Sequence, residues 1–178
     1  MHKVPRRNII ILSVAAVVAG ILGYYLWQYG KYVTPAKIGD VAPDIKAVTV
    51  TGQNFELKSL QGEPVFLNFF TPWCPPCIQE TPDLIAFAKQ YGNRIHVVLI
   101  DRGDDSVLVR NYVSKYHVPS EMTVLLSPSD HWSPPYGVTG QPETFLISSS
   151  GKIVRHIIGP LTEAQMVQYA KEAGLQTQ

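Results

Sequence analysis

The chain has 178 residues, with 15 Lys and Arg set against 14 Asp and Glu, and two cysteines. That length suits one ordinary domain plus an additional segment. Near-neutral charge leaves no electrostatic basis for gripping nucleic acid.

The additional segment comes first. Residues 9–26, "IIILSVAAVVAGILGYYL", contain no charge. These 18 residues span about 27 Å as a helix, close to the hydrocarbon thickness of a bilayer. Lys3, Arg6 and Arg7 precede the run, and Tyr24, Tyr25, Trp27 and Tyr29 crowd its far end, where interfacial aromatics belong. The apolar core is longer than that of a secretory signal, and no small-x-small cleavage site follows it, so the length favours an uncleaved anchor. This assigns residues 1–8 to a cytoplasmic N-terminus, 9–27 to a transmembrane helix in the lipid bilayer and 28–37 to a linker, with the remainder outside the cytoplasm. Without residues 1–30 the chain carries 12 basic and 14 acidic residues, a slight acidic excess.

After the anchor, "KYVTPAKIGDVAPD" (31–44) reads as a linker running into the domain. "IKAVTV" (45–50) and "FELKSL" (55–60) flank a turn and predict a small hairpin. "PVFLNFF" (64–70) has the composition of a buried strand. A helical pattern then extends to about Tyr91, followed by a second buried strand, "RIHVVLID" (94–101). Residues 105–116 fit a helix with Asp104 as N-cap, "MTVLL" (122–126) a strand, and 127–141 an irregular segment with one short helical turn. "ETFLISS" and "KIVRHII" flank Ser150-Gly151 as a second hairpin, and 162–174 form a closing helix, capped by Thr162 and stopped by Gly174. Alternating strands and helices predict an α/β fold, a central sheet with helices on its faces.

Both cysteines lie in "FFTPWCPPCIQETP" (69–82). A structural zinc site needs about four ligands, and there is no second cysteine pair; His96, His117, His131 and His156 are scattered singly, so no metal is expected. A structural disulfide closing so small a loop constrains the unfolded chain little. Redox exchange is the reading that remains. Cys74 sits where a strand hands over to a helix, and a helix start offers unpaired N–H groups and a positive dipole end, which favour thiolate. Cys74 is therefore the attacking sulfur, and Cys77, one turn further in and less exposed, the resolving one. Pro75 and Pro76 withhold two donors from the thiolate, so only N–H groups from Cys77 onward can hold it. The expected potential lies nearer the roughly −270 mV of a reducing dithiol than the roughly −120 mV of a strong oxidant. Glu80 shares a helical face with Cys77. Alone, this spacing fits either a solvated carboxylate or a proton carrier for the buried thiol. Pro82 lies within the same helix and is expected to kink it, freeing the carbonyl of Ile78. Pro142 reads unaided as a trans proline entering a strand.

Trp73-Cys74-Pro75-Pro76-Cys77 after an apolar strand, with Pro82 five residues beyond, resembles a thioredoxin-fold active site. "IGDVAPD" (38–44) resembles the opening of extracytoplasmic thioredoxin-like proteins and peroxiredoxins. "YGVTGQPETFLISSSGKI" (136–153) resembles the membrane-anchored branch typified by ResA, TlpA and CcmG (DsbE). The resemblance runs from about residue 36 to 174. It implies a thioredoxin fold over 38–178 with an N-terminal β-hairpin extension. It also implies a cis Pro142 opposite the cysteines, with Gln141 beside it exposing backbone for substrate pairing, and a Glu80 that tunes thiol acidity. Where cytoplasmic thioredoxins carry a buried Asp, this chain has Asn68, and Pro75 and Pro76 replace the Glu that ResA-like members often carry between their cysteines.

The implied activity is reduction of protein disulfides outside the membrane, without haem, metal or flavin. For ResA- and CcmG-like proteins the target is the haem-attachment cysteine pair of apocytochrome c, and the electron donor is a membrane-embedded thiol carrier. Specificity then rests on shape around Trp73, Pro75, Pro76, Gln141, Pro142 and the 127–141 segment. Two rivals are a general envelope thioredoxin and a thiol peroxidase. Thr71 stands three before Cys74, as the peroxidase pattern wants, but Leu67 stands where that pattern wants proline.

Overall fold

The computed structural model describes residues 6–29 and 34–173, with side chains in the first stretch described for residues 12–26. Contacts divide the chain into two units, Met1–Thr34 and Pro35–Gln178. In the first unit, helix α1 spans Arg6–Tyr29, 24 residues or about 36 Å at the usual helical rise. Among the described residues no helix is long and apolar enough to cross a membrane. The anchor expected over 9–27 begins and ends at side chains outside the described residues, as do those of Lys3, Arg6, Arg7, Trp27 and Tyr29. Within the described part, Leu12, Val14, Val17, Val18, Ile21 and Leu22 are all exposed.

The second unit is built on one seven-stranded sheet. Its strands are β1 (Lys46–Thr49), β2 (Asn54–Glu56), β3 (Val65–Phe70), β4 (His96–Asp101), β5 (Met122–Leu126), β6 (Glu143–Ile147) and β7 (Ile153–Ile158). The spatial order is β2-β1-β5-β4-β3-β6-β7. Strands β3, β4 and β5 run parallel, whereas β1, β2, β6 and β7 join antiparallel. The helices are α2 (Pro75–Tyr91), α3 (Ser106–Lys115), α4 (Ser133–Tyr136) and α5 (Glu163–Glu172). This is the mixed α/β, thioredoxin-like architecture expected for the segment.

All six residues of β3 are buried, because successive side chains enter opposite layers. Phe66 and Phe70 join Leu84, Phe87, Val109, Tyr112 and Met166 on the α2 side. Val65, Leu67 and Phe69 pack with Ile45, Leu57, Tyr136 and Phe145 on the other. This alternation puts Asn68 on the α2 face, between two phenylalanines in sequence, and so determines what it can touch.

Several sequence expectations are corrected. "FELKSL" is strand only to Glu56; Leu57–Leu60 turns into a 3₁₀-helix that buries Leu57 in the core. The cap of α3 is Asp105, whose side chain accepts from the Val107 amide, not Asp104. The linker is tied down from Ala36 onward: its amide donates to the Pro135 carbonyl, and Gly39 and Ala42 donate to the carbonyls of Ile153 and Gly151. The closing helix carries the expected Thr162 cap, here a capping box with Gln165, and ends at Glu172; Gly174 lies outside the described residues. Helix α2 continues through Pro82, which has no N–H to offer the carbonyl of Ile78.

Candidate active site

The loop after β3 delivers Cys74 to the N-cap of α2, with Pro75 and Pro76 in the first turn. Proline suits these positions, because their N–H groups would lack intrahelical partners. One donor remains: the Cys77 amide points to Cys74 Sγ at 3.4 Å. Both cysteines are free thiols in the structure. Cys74 is only 3 % exposed and Cys77 1 %, so the expected contrast in exposure is slight. Access to Cys74 is set instead by its neighbours. Trp73 is 61 % exposed, and its indole N–H donates to Asp104 Oδ1 at 2.9 Å. Asp104, expected to cap a helix, thus fixes the tryptophan.

Opposite Cys74 stands the loop entering β6. The Gln141–Pro142 peptide bond is cis. The Cys74 thiol donates to the Gln141 carbonyl at 3.7 Å, and the Pro142 carbonyl accepts from the Gly159 amide. The residues singled out from sequence, Trp73, Cys74, Pro75, Pro76, Cys77, Gln141 and Pro142, therefore lie in two segments that meet at the Cys74 sulfur although 67 residues separate Cys74 from Gln141.

Glu80 lies beneath this group, 2 % exposed. Its Oε1 accepts from Asn68 Nδ2 at 2.8 Å and its Oε2 from the Leu161 amide at 3.0 Å. It makes no hydrogen bond to either sulfur. Burial pushes its carboxyl up to about 7, against the pull of the Leu161 and Asn68 donors. The Cys77 thiol is driven far above the usual thiol range, first by burial, then by its link to Cys74, with the charge of Glu80 contributing. Glu80 therefore reaches Cys77 through space. Asn68 also donates to Thr144 Oγ1 at 2.9 Å, bridging α2 to β6, while its Oδ1 is buried without a partner among the described residues. Beside Cys77, Thr81 Oγ1 donates to the Cys77 carbonyl and meets the Tyr112 hydroxyl at 2.6 Å.

Two further residues shape the loop and were not singled out by sequence. Glu143, 1 % exposed, accepts from the amides of Thr139 and Gly140 and pairs with His156 Nε2 at 2.7 Å. Burial pulls its carboxyl upward, but these donors prevail and hold it below the usual range. Arg102, just beyond β4, bonds to the same loop. "RGDD" (102–105) after a buried strand was the available signal for it. Among the described residues no cluster of three or more His, Cys, Asp or Glu is arranged to hold a metal ion.

Known proteins place this geometry. Residues 37–173 match the redoxin family. The chain is 32% identical over 169 residues to the thiol-disulfide oxidoreductase ResA of Bacillus thuringiensis (strain Al Hakam), covering 93% of this chain and 94% of that one. It is 30% identical to ResA of Bacillus subtilis (strain 168), covering 94% and 93%. Among solved structures, it is similar to a thioredoxin-family thiol:disulfide interchange protein from Chlorobium tepidum TLS, with a TM-score of 0.69, 29% identity, and 79% and 99% of the two chains covered. A secreted Mycobacterium tuberculosis disulfide oxidoreductase, homologous to E. coli DsbE, matches with a TM-score of 0.65, 27% identity and coverage of 72% and 95%. The dithiol at a helix start, the cis-proline facing it and these relatives agree: the chain belongs to the redoxin family, as a thioredoxin-like thiol-disulfide oxidoreductase of the ResA/CcmG type.

Proposed function

We propose that this enzyme works as a reductase, anchored by residues 9–27 with its catalytic unit outside the cytoplasm, and that its substrate is the haem-attachment cysteine pair of apocytochrome c. The observation that carries the reductive reading is the sparse donor set at Cys74: among the described residues a single amide reaches its sulfur, because Pro75 and Pro76 supply none. A weakly held thiolate makes a less stable reduced form and hence a stronger reductant. The exposed apolar side chains of α1 support the anchored reading, the ResA relatives support the thiol-disulfide chemistry, and the sequence resemblance described above supports the substrate.

The reaction moves two electrons without metal, haem or flavin, since both reside in the sulfurs. Cys74 thiolate attacks one sulfur of the substrate disulfide, forming a mixed disulfide and expelling the other substrate sulfur as thiolate. Cys77 then loses its proton and attacks Cys74 Sγ. The second substrate thiolate leaves, and the Cys74–Cys77 disulfide remains, oxidised by the two electrons the substrate gained. The second step needs a base, because the Cys77 thiol holds its proton tightly. Glu80, poised near neutrality in the same buried region, is the proton acceptor in this scheme. A membrane-embedded thiol carrier returns the electrons.

Cys77→Ser blocks the second step and leaves the mixed disulfide standing. Expressed in cells, this variant is expected to accumulate a complex joined through Cys74 to apocytochrome c, identifiable by mass spectrometry after non-reducing electrophoresis. A complex made up of assorted exported proteins instead would make the protein a general envelope thioredoxin. No covalent complex at all would refute the two-step scheme.

A further inference from the structure

Arg102 makes four side-chain hydrogen bonds near the site, and the mechanism does not use it. Its Nη1 donates to the Gly140 carbonyl at 2.9 Å and to Gln141 Oε1 at 2.6 Å. Nε donates to Ser133 Oγ at 3.0 Å, and Nη2 pairs with Asp130 Oδ2 at 2.9 Å. Ser133 Oγ in turn donates to Asp130 Oδ1. The guanidinium fork thus joins the turn after β4 to both ends of the 127–141 segment. Its side chain is 15 % exposed, so these bonds are shielded from water.

The segment it holds carries an unusual backbone conformation. Ser129 and Asp130 both adopt positive φ, at 69° and 49°, a conformation that is uncommon for non-glycine residues and that the surroundings must support. Gly103 packs against it so closely that a Cβ would stand 3.0 Å from the Asp130 amide nitrogen.

The bond to Gln141 has a chemical consequence. A guanidinium only donates, so it must face the amide oxygen. The Gln141 carboxamide is thereby turned with its Nε2 donors unspent among the described residues, while its main-chain carbonyl faces Cys74. From the same turn, Asp104 holds Trp73, the residue before Cys74. One short stretch after β4 is therefore bonded both to Trp73, next to Cys74 in the chain, and to Gln141, whose main-chain carbonyl accepts from the Cys74 thiol.

We propose that Arg102 is a positioning residue for protein substrates. It locks the Gln141 side chain so that its NH₂ donates to an acceptor on the polypeptide flanking the target disulfide, most simply a backbone carbonyl. This rests on the reductase reading above, and acts on substrate recognition rather than on the sulfur chemistry.

The test uses the full chain and two disulfides: insulin, which presents a polypeptide, and hydroxyethyl disulfide, which has no peptide groups. Arg102→Gln is expected to lower kcat/KM for insulin roughly tenfold, mainly through KM, as loss of substrate alignment does. Turnover of hydroxyethyl disulfide and the midpoint potential of Cys74–Cys77 should stay at wild-type values. In a Gln141→Ala background, Arg102→Gln should have no further effect. Equal losses on both disulfides, an unaltered insulin rate, or full additivity with Gln141→Ala would each overturn the proposal. Should Arg102→Gln not fold, Arg102→Lys keeps the charge and loses the fork. It is expected to raise KM for insulin alone, and wild-type behaviour would overturn the proposal equally. A wild-type chain that reduces neither disulfide would remove the reductase reading itself, and this inference with it.

Discussion

Glu80 shows what one buried carboxylate can control. Its folded pKa of about 7 lies above the ordinary 4.5, so the folded protein binds this proton more tightly than the unfolded chain does. The associated stability is complete below about pH 4.5 and is lost as pH rises through about 7. For so buried a group the loss is on the order of 3 kcal/mol. Glu80→Gln cannot titrate, so its denaturation midpoint should fall less steeply between pH 4.5 and 8 than that of the wild type, a comparison that urea melts across this range provide. Asp101 is raised in the same direction, first by burial and then against the amides of its own turn, so a part of the slope will survive the substitution. Equal slopes in both proteins would mean that Glu80 is ionised in the folded state well below neutrality. It would then be unfit to accept the Cys77 proton.

At the level of elements, the first turn of α2 sets the chemistry of the pair. With Cys74 as cap, the N–H of the second helical residue is normally one of the donors a cap accepts, and Pro76 occupies that position. Pro76→Ala restores the donor. A hydrogen bond to a charged group is worth about 1.5 kcal/mol or more, so the midpoint potential should rise by roughly 30 mV, from a wild-type value nearer −270 than −120 mV. A glutathione redox titration of both proteins measures this, and an unchanged potential would show that the restored amide does not reach the sulfur. This turn was legible in the sequence because all its parts are local: strand, cysteine, two prolines, helix. The shared helical face of Cys77 and Glu80 was legible from spacing too, but the burial of Glu80 was not, since it depends on Asn68 and Leu161 from distant elements. The same locality explains the errors. Asp104 and Asp105 are equally good caps on paper, and only the tryptophan 31 residues earlier decides between them. "FELKSL" has a strand-like composition, but the pull of Leu57 into the core turns the chain after Glu56. Arg102 was missed because its partners lie 28 to 39 residues away in a segment without periodicity, where neither distance nor direction can be read from spacing.

Taken whole, the chain has an N-terminal helix, α1, and a unit whose described core, sheet and site all lie within Pro35–Gln178. Every residue placed at the dithiol, from Asn68 to Leu161, belongs to that unit, and its first residues are tied to it by the Ala36, Gly39 and Ala42 amides. Among the described residues, none of the contacts at the dithiol involves residues 1–34. Deleting them should leave insulin reduction at its full-length kcat/KM and the thermal midpoint unmoved, since no core side chain is lost. Location should change completely. If the run at 9–27 is the anchor proposed above, it alone holds the protein in a bilayer, because the remainder, with 12 basic and 14 acidic residues, has no attraction to an anionic lipid surface. The full chain should stay with membranes through alkaline carbonate extraction, and the truncated chain should be released into the soluble fraction with its activity intact. A full chain extracted by carbonate would rule out the anchor. A truncated chain that is folded but inactive would instead show that the helix serves the catalytic unit directly, and the division of labour between the two units would have to be abandoned.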